Sequence, residues 1–290
     1  MRTKYILLFG LILGLLAFGQ AGCQFGGDSQ AQVIGLDFSL NSEAPPSMIE
    51  PNTEFQIVST IENYGDTATN GDFCVEDTID DSYGGIDRRC LPFSVRAASK
   101  QDNKILPGKQ IVVLPSEYSS FYYRDIQSQQ ANIIASIIYD YSTIASPIIC
   151  VKDPLKQSII PCSSSETVLV DVKAPLDVTK VEKNIFRASE GLVKLRVKIY
   201  LKKQIKGDIL PSKYSDDEIN KAELIGVRFA NTALDCDTKD GYVEIGETET
   251  ILRCEGYVNV EGVIKHPLNI WLDYSVQTKK VYPLKIEGIN

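Results

Sequence analysis

Val193-Lys194-Leu195-Arg196-Val197-Lys198-Ile199-Tyr200-Leu201-Lys202 decides the fold class. Val193, Leu195, Val197, Ile199 and Leu201 are apolar, and Lys194, Arg196, Lys198 and Lys202 fall between them. A period of two sends the two sets to opposite faces of a pleated strand, so this segment reads as a strand buried on one side only. The pattern recurs. Phe55, Ile57, Ser59 and Ile61 alternate with Gln56, Val58, Thr60 and Glu62. Ile133, Ala135, Ile137, Tyr139 and Tyr141 share a face, as do Leu268, Ile270, Leu272, Tyr274 and Val276. Residues 111–114, 167–172, 224–229, 249–253 and 282–286 add β-rich runs. Short strands separated by Gly, Pro, Asn and Asp predict an all-β sandwich or barrel. One helical turn is expected, from a capping box of Ser215 and Glu218 running to about residue 223.

Three landmarks repeat along the chain. Glu54-Phe55 and Glu190-Gly191 each open a strand, Gly108 and Gly246 each precede one, and Asp140-Tyr141-Ser142 matches Asp273-Tyr274-Ser275. The offsets are 136, 138 and 133 residues, which predicts two diverged copies of one domain. The expected boundary lies at Lys173-Ala174-Pro175, where a proline stops the ladder. The domains are then residues 33–173 and 174–290. The first half is acidic and the second is neutral.

Composition excludes several classes. The chain has 290 residues, 43% of them hydrophobic and 23% charged, so collagen-like and wholly disordered readings fail. A net charge of −8 argues against a nucleic-acid partner. Residues 1–22 read as a signal peptide: Arg2 and Lys4, an apolar run over residues 5–18, then small residues up to Cys23. Ala21-Gly22-Cys23 resembles a lipoprotein processing site, with Gln20 replacing its usual aliphatic residue. Two cleavages fit, an ordinary cut after Ala21 or one before Cys23 that leaves Cys23 as the expected lipid attachment point, with residues 23–32 as the tether. An exported chain meets oxidising conditions. The six other cysteines fall into local couples, which predicts the disulfides Cys74–Cys90, Cys150–Cys162 and Cys236–Cys254.

The stretch Pro51-Asn52-Thr53-Glu54, followed by an alternating strand and then Asn63-Tyr64-Gly65 and Ala68, resembles the opening of CARDB-like domains. The departure is Asn52, where the family signature has glycine. The resemblance covers about 20 residues directly. It implies immunoglobulin-like sandwiches used in prokaryotic surface proteins for adhesion or as spacers, with no catalytic residues to carry over. The fold class expected here is therefore two tandem immunoglobulin-like β-sandwiches behind a signal peptide.

Three constellations carry possible chemistry. Asp72, Glu76, Asp77, Asp80 and Asp81 make an acidic segment beside Cys74, a candidate calcium site rich in oxygen ligands. Lys194, Arg196 and Lys198 make a basic strand face, a candidate contact surface. Tyr122 and Tyr123 lie between strands and are a candidate aromatic contact. No serine elbow, phosphate loop or zinc spacing is present, so no enzyme activity and no cofactor beyond calcium are expected. The function expected is that of an exported, membrane-anchored, extracellular surface protein with a structural or adhesive role, touching protein or glycan. The alternative is a solute- or sugar-binding lipoprotein with its site between the domains.

Overall fold

Strands form wherever the period-two pattern runs. The first ten are β1 (Leu36–Leu40), β2 (Met48–Ile49), β3 (Ile57–Asn63), β4 (Thr69–Asp77), β5 (Arg89–Val95), β6 (Ser99–Gln101), β7 (Lys104–Leu106), β8 (Gly108–Leu114), β9 (Gln129–Ala145) and β10 (Ile148–Lys152). The others are β11 (Ser165–Leu169), β12 (Leu176–Ser189), β13 (Leu192–Lys203), β14 (Asp208–Leu210), β15 (Lys221–Phe229), β16 (Thr232–Ala233), β17 (Asp235–Cys236), β18 (Tyr242–Glu244), β19 (Glu249–Asn259) and β20 (Val263–Ile286). The structure, a computed structural model, describes residues 35–65, 67–101, 104–212 and 218–288. The expected signal peptide, Cys23, the tether and Ser215 lie outside the described residues. The helical turn expected to reach residue 223 is replaced there by β15, because Lys221, Ala222 and Glu223 pair with β18.

The chain is built as two β-sandwiches of the same topology. In the first half, β1-β3-β8 form one sheet, and β5-β4-β9 form part of another. In the second half, β12-β13-β19 correspond to β1-β3-β8, and β16-β15-β20 correspond to β5-β4-β9. The landmark repeats thus reflect a structural repeat.

The halves are fused. β9 and β20 pair directly from Gln129 opposite Ile286 to Ala145 opposite Ile270. β10 continues along β20 from Ile148 opposite Pro267 to Lys152 opposite Val263. The register does not slip across Ser146 and Pro147. With 24 residues in β20 and ~3.4 Å per residue, the ribbon runs about 80 Å along its length. One large sheet therefore spans the molecule, and each half adds its own covering sheet. β10 and β11 precede the expected boundary at residues 173/174 in sequence, yet they pair with β20 and β12 of the second sandwich. The chain has already crossed over through β9, which is long enough to serve both halves.

One face of the ribbon is mostly apolar, interrupted by Thr143, Thr278 and Lys280. Ile133, Ala135, Ile137, Tyr139, Thr143 and Ala145 on β9, with Leu268, Ile270, Leu272, Tyr274 and Val276 on β20, are buried. Phe38, Ile57, Ile61, Val112 and Leu114 cover the first half, and Val181, Val193, Leu195, Val197, Ile199, Leu252 and Val258 cover the second. The two Asp-Tyr-Ser triplets meet at the junction. Tyr141 sits opposite Tyr274, Asp140 opposite Ser275 and Ser142 opposite Asp273. A local two-fold relation thus makes equivalent positions of the two copies each other's partners. Above this point a closed hydrogen-bond circuit ties the shared sheet to the second covering sheet. Leu176 N donates to Tyr274 Oη at 3.0 Å, and Thr143 Oγ1 donates to the Leu176 carbonyl at 2.8 Å. With the Thr143 proton used there, Tyr274 Oη donates to Thr143 Oγ1 at 2.8 Å.

Candidate functional site

All three local cysteine couples are disulfides. Cys74–Cys90 and Cys236–Cys254 join directly opposed residues of β4/β5 and β17/β19, each with Cα atoms 4.0 Å apart. Cys150–Cys162, with Cα atoms 5.7 Å apart, closes the loop that follows β10.

The acidic segment does not converge. Strand alternation sends Asp72 and Glu76 to the outer face of β4, opposite Ile138 and Ile134, and turns Asp77 the other way. The Asp77 carboxylate accepts from Ile79 N and Ile86 N, each at 2.8 Å, and from Tyr123 Oη at 2.7 Å. Asp80 caps the short turn Asp81–Tyr83 by accepting from Ser82 N at 2.9 Å. Among the described residues, no group of three or more His, Cys, Asp or Glu is placed to hold a metal ion.

The tyrosine pair splits. Tyr122 is part-exposed and lies under the Arg124 guanidinium, 5.1 Å from its ring centre. Tyr123 is fully buried and stacks on Phe55 at 5.6 Å, so its expected place on a contact surface is corrected. Two neighbours on an extended chain face opposite ways, so only one of them reaches water. Burial, with the Asp77 hydrogen bond second, pushes the Tyr123 phenol well above its usual range.

The basic face of β13 is present and lies at the centre of an organised surface. Its neighbours are set by register. Lys194 lies between Phe186 of β12 and Tyr257 of β19, Arg196 between Asn184 and Glu255, and Lys198 between Glu182 and Arg253. The cations are paired. Lys194 Nζ and Arg196 Nε reach the two Glu255 oxygens at 2.6 and 2.9 Å. Arg253 takes Asp237, whose Oδ1 accepts from the Arg253 backbone N at 2.6 Å. Lys198 and Lys180 share Glu182 at 3.8 and 3.3 Å. The Lys194 hydrogen bond, reinforced by Arg196, holds the Glu255 carboxyl below its ordinary range. A hydrogen bond from Tyr200, then Lys180, does the same for Glu182.

Two half-exposed rings complete this surface. The Arg196 guanidinium lies 5.1 Å from the Phe186 ring centre, and Lys194 lies 5.7 Å from that of Tyr257. Phe186 and Tyr257 stand two strands apart, about 10 Å across the sheet. Beside them runs a groove of about 480 Å³ lined by Asn184, Phe186, Arg196, Lys198, Asp235, Asp237, Arg253 and Glu255. Such a surface offers flat apolar rings and fixed, paired donors and acceptors. It suits an extended polar chain that has apolar faces of its own.

The sequence reading found the three cations of β13. It missed Phe186, Tyr257, Arg253, Asp237 and Glu255, which strands far apart in sequence bring to the same face. A second depression, of about 310 Å³, lies where the halves join, lined by Asp140, Ser142, Asp273 and Ser275 of the two triplets and by Pro211 and Ser212. Ser275 Oγ donates to Asp140 Oδ1 at 2.6 Å, and Trp271 Nε1 donates to Asp273 Oδ1 at 2.9 Å.

No family model matches the chain, and no curated protein matches it. Among solved structures, that of red sea bream transglutaminase aligns over 89% of this chain and 32% of its own length, at 9% identity and a TM-score of 0.21. This chain therefore spans about a third of that protein, and the likeness carries no argument about fold or function.

Proposed function

We propose that the chain is an exported protein, held at the cell surface by a lipid on Cys23, whose role is adhesive and non-catalytic. Its contact surface is the outer face of β12, β13 and β19, and glycan is the ligand class that fits it best. The observation that carries this reading is the row Phe186–Lys194–Tyr257 above a groove of paired charges. Sugars present apolar ring faces edged by hydroxyls, which match exposed rings beside fixed donors and acceptors. Three disulfides in one chain support an oxidising destination.

The test is binding to immobilised dextran, mannan, galactan and polyuronate, with Phe186→Ala and Arg253→Ala as variants. Binding to at least one polymer, lost in both variants, supports the reading. Binding to none, or binding that both variants keep, refutes it. Anchoring is read separately: Cys23→Ser moves the protein from the membrane fraction to the soluble fraction if the lipid holds it. The junction depression favours the second reading, a small polar solute held by Asp140 and Asp273. Asp140→Asn would abolish that binding and leave polymer binding intact.

A further inference from the structure

The loop closed by Cys150–Cys162 carries three large aliphatic side chains in water. Ile159 is 102% exposed, Leu155 72% and Ile160 49%. The base beneath them is firmly built. Lys183, fully buried on β12, donates to the Cys150 carbonyl, lies 3.1 Å from Cys150 Sγ and pairs with Glu166 Oε2 at 2.9 Å. Asp153, also buried, accepts from Leu155 N at 3.0 Å and faces Arg187 Nε at 3.4 Å. A disulfide and two buried charged groups thus fix a loop whose aliphatic tip stands clear of the core of the described residues.

We infer that this loop is a membrane-contact element, which inserts Leu155, Ile159 and Ile160 into the interface of an anionic bilayer. The tip is aliphatic: residues 151–161 include no aromatic side chain and no arginine, the residue types that most often anchor a protein interface. Its charges are the exposed Lys156, the part-buried Lys152, whose Nζ lies 3.5 Å from the Lys156 carbonyl oxygen, and Asp153, which is turned inward. The loop itself holds two lysines and one aspartate, and the adjoining hairpin turns hold Glu190 and Glu261. Exposed aliphatic side chains beside two lysines suit a surface that is apolar a few ångströms down and negative above. The inference does not depend on the glycan groove or on a lipid at Cys23.

Ile159→Trp in the full chain tests it, because a tryptophan there reports on the loop whatever else holds the protein to a membrane. The parent chain, whose only tryptophan is Trp271, serves as the reference. Vesicles of phosphatidylcholine with phosphatidylglycerol should shift the emission of the introduced indole to the blue. Lipids brominated on their acyl chains should quench it. Adding Lys152→Gln and Lys156→Gln should reduce the quenching on anionic vesicles. An introduced indole that stays unshifted and unquenched, whether or not the chain binds vesicles, overturns the proposal. Equal insertion into pure phosphatidylcholine would overturn the part played by the lysines.

Discussion

Tyr274→Phe removes one oxygen from the junction and should be costly for its size. The hydroxyl is the acceptor for Leu176 N and the partner of Thr143 Oγ1, at 3.0 and 2.8 Å, and all three residues are buried. Phenylalanine fills the same space but leaves the Leu176 N–H without an acceptor, away from water. An abandoned buried donor costs roughly 1–3 kcal/mol, and the remaining Thr143 bond offsets none of it, so about 2 kcal/mol is expected. For a body of this size that lowers the thermal midpoint by roughly 4–8 °C. Thermal unfolding followed by circular dichroism, with disulfides intact, measures it. Thr143→Val breaks the same circuit from another side, so the double variant should lose clearly less than the sum of the two. A midpoint within roughly 1 °C of the parent, or strict additivity, would show that the circuit contributes nothing.

Three further outcomes follow from other parts of the structure. Burial raises the phenol pKa values of Tyr123, Tyr139 and Tyr274, so the folded state keeps them protonated where an unfolded chain would ionise. That stabilisation is complete below the ordinary tyrosine range and is lost as pH rises beyond it; phenolate absorbance should therefore show three tyrosines that ionise only on alkaline unfolding. Glu166→Gln strands the Lys183 cation in the core and should cost about 3–5 kcal/mol, whereas Lys183→Met leaves Glu166 part-exposed to water and should cost less than half as much. If chemical denaturation ranks the two the other way, Lys183 does not depend on Glu166 as described. Gly108→Ala would bring a methyl 1.9 Å from the Arg96 carbonyl oxygen and should prevent normal folding, while Gly226→Ala meets nothing within 4 Å and should stay within about 0.5 kcal/mol of the parent, both read as soluble yield and denaturation midpoint.

The legible parts of this fold were the local ones. Alternation identified the buried side of β13 residue by residue, because period two is a property of a single strand. The disulfides were legible because each joins cysteines within 18 residues of one another. The repeat of Asp-Tyr-Ser was legible as well, but not its meaning. Nothing in a sequence shows that strands 133 residues apart are hydrogen-bonded partners rather than equivalents in separate domains. The same gap hid the groove, since Phe186, Lys194 and Tyr257 become neighbours only through pairings with long separations. The acidic segment misled for the opposite reason. Adjacency in sequence suggested a shared site, and the pleat then turned Asp77 away from Asp72 and Glu76.

The ribbon between β9 and β20 also sets a timetable. β9 reads Gln-Gln-Ala-Asn-Ile-Ile-Ala-Ser-Ile-Ile-Tyr-Asp-Tyr-Ser-Thr-Ile-Ala, a long β-prone run with a single charge. One of its edges is taken by β4 over only part of its length, and the other belongs to β20. Until residues 263–286 are made, that second edge is an open template for any chain nearby. A ribosome that stalls before them would release a first sandwich ready to join its neighbours edge to edge. The last of the described strands is therefore also the guard against aggregation, which makes late truncations more dangerous than early ones.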